Sequence, residues 1–114
     1  MMMNTRLKLS ADNFKSILSN YLDFDISDFF AYITKDGFDN VLKLSSEDKG
    51  IRISFSESQI KDALIDLFNK DADTKIDNIN VHIINNTERD RIYVSIDCDI
   101  SKECLKSIVD MIKG

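Results

Sequence analysis

The stretch NKDADTKIDNIN, residues 69 to 80, spaces its oxygen-bearing side chains much as a calcium loop does: Asn69, Asp71, Asp73 and Asp77 fall at positions 1, 3, 5 and 9. A loop of that kind needs a glycine at position 6 for its sharp turn and a bidentate glutamate at position 12. Those places hold Thr74 and Asn80. The ligand set is incomplete where it matters, and neither a metal nor any other cofactor is expected.

Asp71, Asp73 and Asp77 form one of three acidic clusters; the others are Asp23, Asp25 and Asp28, and Asp97, Asp99 and Glu103. All three fall where an element should end, and there aspartate caps helices and closes turns. Taken together, spaced carboxylates of this kind can also imitate a phosphate backbone toward a basic, nucleic-acid-handling enzyme.

His82 is the single histidine, flanked by Val81 and Ile83 in a strand-like run. An imidazole there can act as a general acid or base, and a hairpin would bring Tyr93 near it, but the sequence places no Ser, Cys or second His to complete a triad. The plainer reading is a histidine on a sheet face. Cys98 and Cys104 are the only cysteines, one near a strand end and one in the first turn of a helix. Two thiols in a reducing compartment are expected to stay free. Glycine occurs only at 37, 50 and 114, so there is no phosphate-cradling loop. An enzyme is not expected.

The elements that must position these residues are marked twice. RLKLSADNFKSILSNYL, residues 6–22, is echoed 46 positions later by RISFSESQIKDALIDLF, residues 52–68. Ser10 and Ser56 sit at helix N-cap positions, the second with Gln59 in a capping-box pattern. Phe14, Ile17, Leu18, Tyr21 and Leu22 match Ile60, Ala63, Leu64, Leu67 and Phe68 at helical spacing. Arg6/Arg52, Ser10/Ser56, Lys15/Lys61 and Leu18/Leu64 are identical at this offset.

Each copy runs on into a hairpin pattern. FFAYITKDGFDNVLKL has Asp36-Gly37 between apolar runs, which suggests a two-residue turn with Ile33 opposite Asn40 and Ala31 opposite Leu42. INVHIINNTERDRIYVSI alternates on both sides of a polar turn, and matching its apolar faces sets Ile83 against Ile92 and Val81 against Val94. A last helix over 101–113 carries Leu105, Ile108, Val109 and Ile112 on one side. The expected fold is therefore a single α+β domain, 1–114. It has an antiparallel-rich sheet of five to six strands and three helices on one face, in βαββ–βαββ–α order, with a possible internal repeat of 5–46 and 51–98. The strand over 5–9 is short and could instead be an arm.

Alternation also sorts side chains by face. Phe29, Ala31, Ile33, Leu42, Leu44, Ile51, Ile53, Phe55, Ile79, Val81, Ile83, Ile92, Val94 and Ile96 make the expected core. The opposite face carries Phe30, Tyr32, Lys43, Arg52, His82 and Tyr93, rings beside cations, with Lys43 opposite Arg52 if the intervening turn is tight. With every helix on the core side that face is open. It can take a protein partner, a twin subunit, or single-stranded nucleic acid by stacking and phosphate neutralisation.

The totals narrow the choice. Fifteen Lys and Arg against twenty Asp and Glu leave a net charge of −5, shared by both halves. With no basic tail or stripe, duplex DNA is not an expected partner. No apolar run approaches a membrane span and no secretory signal is evident, so a cytoplasmic protein is expected. The first expectation is a small, acidic, non-enzymatic interaction protein that inhibits a larger nucleic-acid-handling machine by occupying its basic surface, of the phage or mobile-element, anti-defence (anti-CRISPR-like) type. The alternatives are an immunity protein that neutralises a toxin, and a single-stranded nucleic-acid or anion-binding module. A homodimer through the open face is compatible with the interaction-protein reading and with the binding-module reading.

Overall fold

Ser10 ends one strand and starts a helix with no loop between them, and Ser56 does the same, so the chain turns from extended to helical twice at a single capping serine. Each hydroxyl accepts a hydrogen bond from the backbone N–H three residues on, Asn13 and Gln59, and Gln59 returns one to the Ser56 N–H. The structure, a computed structural model, describes residues 1–86, 88, 89 and 91–113. Thr87 and Asp90, in the polar turn of the second hairpin, lie outside the described residues, as does Gly114.

The order is β1 (Met2–Ser10), α1 (Ala11–Leu22), β2 (Phe30–Asp36), β3 (Asp39–Ser46), β4 (Ile51–Ser56), α2 (Glu57–Phe68), β5 (Ile76–Asn86), β6 (Arg91–Ser101) and α3 (Lys102–Lys113). Among the described residues this is the α+β arrangement of six strands and three helices that the patterning predicts. The strand read over 5–9 is a full nine-residue strand.

The strands fall into two antiparallel sheets of three, β1-β6-β5 and β2-β3-β4, and not into one sheet of five or six. The reason is an exchange of leading strands. β1 pairs with β6 from Met2↔Ser101 to Ser10↔Tyr93, and β4 pairs with β3 from Val41↔Ser56 to Ser46↔Ile51. Each hairpin is thus extended by the leading strand of the other copy, in the same place and direction.

Both hairpins are shifted two residues from the expected pairing. Ile33 faces Leu42 and Ala31 faces Leu44; Ile83 faces Val94 and Val81 faces Ile96. In the first, Asp36↔Asp39 leaves Gly37-Phe38 as the turn, with Gly37 at φ 64° and Phe38 not at positive φ, the type II′ arrangement. A shift of two preserves the face of every side chain, so the apolar set still points inward. A bulge between Asp77 and Asn80, with Asn78 at φ 50°, lets Ile76 and Ile79 both point inward although they are three apart.

The inward faces of both sheets and the apolar stripes of the three helices share one core, including Leu9, Phe14, Leu18, Leu42, Leu44, Leu64, Phe68, Ile83, Val94, Ile96 and Ile108. The sheets are also joined at an edge. Ile83 belongs to the outer strand β5, and its N–H and C=O are taken by two side chains at the end of the β3–β4 ladder. Ile83 N–H donates to Glu57 Oε2 at 2.7 Å, and Asn40 Nδ2 donates to the Ile83 carbonyl at 2.7 Å.

Lys15 breaks the usual rule for lysine. It is 7 % exposed, and its Nζ donates to the Ser27 and Phe29 carbonyls at 3.1 and 2.9 Å beside an ion pair with Asp12. Those bonds hold the α1–β2 connection against the helix. Lys61, its counterpart in the second copy, is exposed. Lys15→Met should leave two carbonyls without their donor and lower unfolding free energy by about 2 kcal/mol, whereas Lys61→Met should change it by under about 0.5 kcal/mol. Urea denaturation checks both, and equal effects would contradict the anchoring role.

Candidate interaction surface

Of the six side chains expected on an open face, the structure brings four together and sends two elsewhere. Phe30, Tyr32, Lys43 and Arg52 share the outward side of the sheet β2-β3-β4, while His82 and Tyr93 are on the outward side of β1-β6-β5. Among the described residues no helix covers either side, and the alternating exposure of β1, β4 and β5 records it.

On the first surface the rows run Phe30–Ser45–Arg52, Tyr32–Lys43–Ser54 and Thr34–Val41–Ser56. Lys43 and Arg52 are not directly opposite, because the β3–β4 connection is a four-residue turn, 47–50, closed by Gly50 at φ 65°. Lys43 Nζ instead donates to Ser54 Oγ at 2.7 Å, and Arg52 is a diagonal neighbour. Phe30 is 69 % exposed and its ring stacks on Tyr32, centroids 5.9 Å apart and planes 28° off parallel. Tyr32, Ser45, Ser46, Glu47, Gly50 and Arg52 border an open depression of about 690 Å³ beside that pair.

The other sheet provides an internal comparison, because its register is equivalent. The row Arg6–Asp97–Asn80 corresponds to Arg52–Ser45–Phe30, and Lys8–Ser95–His82 to Ser54–Lys43–Tyr32. Arg6 Nε donates to Asp97 Oδ1 at 2.7 Å, a hydrogen bond and charge pairing that raise the arginine further above its ordinary value. Asp99 accepts from Asn78 and Asn4, which hold its carboxyl below the usual range. Lys8 Nζ sits 4.5 Å from the centroid of the Tyr93 ring. A hydrogen bond with Arg91, and then the charges of Arg91, Lys8 and Arg89, draw the Tyr93 phenol below its ordinary value. On this surface the arginine is paired by a carboxylate of its own sheet. At the position of Asp97 the first sheet has Ser45, and among the described residues no carboxylate lies within 4 Å of Arg52.

His82 is opposite Ser95, not Tyr93, whose partner is Ile84. Its Nδ1 is 4.0 Å from Glu57 Oε2. A serine, a histidine and an acid are therefore neighbours. Among the described residues no hydrogen bond joins Ser95 to His82, the Glu57 oxygen already accepts from Ile83 N–H, and the imidazole is exposed on a flat surface.

Several members of the acidic clusters are engaged by local backbone or by neighbouring side chains. Asp25 Oδ1 accepts from Ser27 N–H, which lowers its pKa, Asp28 pairs with Lys49, and Asp23 caps α1 in the left-handed conformation. Asp71 accepts from Asp73 N–H and Asp77 from Asn78 N–H. The calcium-like loop is closed by protein: Asn69 Oδ1 accepts from Ile76 N–H, and the buried Ser101 hydroxyl accepts from Lys75 N–H and donates to the Asp73 carbonyl. Among the described residues no three His, Cys, Asp or Glu side chains converge to hold a metal, and no helix is long and apolar enough to cross a membrane. Compared with family models, with curated proteins and with solved structures, the chain matches none.

Ser45 escaped the sequence reading, because a serine in a strand carries no signal until its cross-strand partner is known. Glu57 escaped it too, although a glutamate directly after a capping serine invites the ordinary reading of a first-turn acid.

Cys98 and Cys104 are free and buried; burial pushes their thiols up to about 11 and about 12. The unfolded thiols ionise first, so the stabilisation is complete below about pH 8.5 and is lost as pH rises through the folded values. Both cysteines should resist a thiol-specific reagent at pH 7.5 in the native protein and react in urea. Stability should fall between about pH 9 and 11 in the wild type more than in a Cys98→Ala/Cys104→Ala variant. Rapid native labelling would contradict this.

Proposed function

We propose that this protein is a non-enzymatic interaction module that docks on a larger partner through the outward face of β2-β3-β4. The observation that carries the reading is the exposed Phe30 ring stacked on a half-buried Tyr32 and flanked by Arg52 and Lys43. Aromatic rings and arginine supply most of the energy in protein interfaces, and a pair held in place by its own stacking has little side-chain freedom left to lose. With pI 4.7 and net charge −5, the remaining surface steers toward basic partners. The partner class this favours is a nucleic-acid-handling enzyme, which the protein would antagonise by occupying it; toxin neutralisation is the same act on a different target. In this reading the protein works in the cytoplasm, where two buried thiols stay reduced.

Rings beside cations also favour single-stranded nucleic acid as a second reading. Purified protein should co-elute with, and inhibit, a basic nuclease target at low salt while an oligothymidylate stays unbound. Phe30→Ala should weaken that complex by about thirtyfold, the usual cost of losing a 2 kcal/mol anchor, with its melting temperature kept. Binding of the oligonucleotide lost in Phe30→Ala would favour the second reading. Full activity of Phe30→Ala toward every target would remove the face from the function.

A further inference from the structure

Resting on the reading that this face is the docking surface, we propose that Arg52 is a socket for a carboxylate carried by a short acidic–aromatic segment of the partner. The partner's acid takes the place that Asp97 takes for Arg6.

The inference comes from comparing the two sheets. Arg6 and Arg52 occupy the same position in equivalent rows, each on a leading strand donated to the other hairpin. In one, the cross-strand neighbour is Asp97, and guanidinium and carboxylate meet at 2.7 Å with a second contact at 3.5 Å. In the other, the neighbour is Ser45, whose shorter side chain leaves room for an incoming oxygen and can donate a hydrogen bond to it. The register that brings Arg6 onto Asp97 therefore aims Arg52 at a carboxylate that its cross-strand neighbour Ser45 does not supply; Glu47 borders the same depression but, among the described residues, no carboxylate is within 4 Å of the guanidinium. A forked guanidinium matches the two oxygens of a carboxylate.

Phe30 is on the far side of Ser45 in the same row, so an acid seated on Arg52 brings its neighbouring side chain onto the Phe30–Tyr32 stack. That geometry selects an acid beside an aromatic or large apolar residue. A second copy of this chain is the weaker occupant. Three strands at about 4.8 Å spacing and five rows at about 3.4 Å give roughly 250 Å², against the ~800 Å² per partner of a standard interface. The face suits a short segment that anchors a wider contact.

The test is titration of the ¹⁵N-labelled full chain with the capped peptide acetyl-Phe-Asp-Phe-Asp-amide, its analogue with both acids replaced by asparagine, and an oligothymidylate. Signals of the Arg52 side-chain N–H and the Ser45 amide are followed. The acidic peptide should shift both saturably. The asparagine analogue, Arg52→Gln and Ser45→Asp should each bind about tenfold more weakly, as loss of one charged hydrogen-bonded contact implies. Ser45→Asp is the decisive variant, because it should fill the socket from within while its melting temperature holds. Equal binding of the acidic and amide peptides, with Phe30→Ala still weakening both, would overturn the socket and leave the docking face standing. Equal binding in Phe30→Ala and Ser45→Asp would remove both. Oligothymidylate competing at Arg52 where the acidic peptide does not would replace the carboxylate with a phosphate and overturn the proposal.

Discussion

The exchange of leading strands is the constraint on which the rest of the molecule depends. β1 leaves its own copy and runs along β6, nearly a hundred residues away, while β4 runs along β3. Each strand passes directly into a helix at its capping serine, so the hairpin that receives the strand also fixes where the helix starts and how its apolar stripe meets the core. Neither copy can complete its sheet alone. The contact between Asn40, Glu57 and Ile83 belongs to the same scheme, since the two side chains sit where the β3–β4 ladder ends and the partner sheet begins.

Much of this is legible in the sequence. Period-two alternation assigned the inward set, and all of it lies in the core or packs against it, even though both hairpin registers are off by two. The error is harmless because strand faces repeat every two residues. The division into two sheets was not legible. It depends on β1 choosing the distant β6 while β4 takes the adjacent β3, and on Ile83 offering its backbone to side chains where a single sheet would have offered it to another strand. The burial of Lys15 was equally hidden, for its counterpart Lys61 is identical in type and local pattern yet exposed.

The candidate surface was half legible. Rings and cations on one face of β2, β3 and β4 follow from alternation, but grouping His82 and Tyr93 with them assumed a continuous sheet. What gives Arg52 its meaning is a difference between two otherwise equivalent rows, Asp97 in one and Ser45 in the other. The repeat in the sequence shows the matching arginines; only the strand pairing shows that their neighbours differ. The acidic clusters made the opposite passage. Conspicuous as a set, several of them resolve into turn closures and an ion pair.

The segments INVHIINN and IYVSIDCDI are rich in Ile, Val and Tyr and lack proline, so an unpaired edge among them could pair with another strand. β5 is such an edge. With the Ile83 backbone occupied by Asn40 and Glu57 and the strand bent at Asn78, the middle of that edge has no straight, vacant run on which another chain could template. The contact that joins the two sheets therefore also occupies, at Ile83, edge groups of β5 that another strand would otherwise pair with.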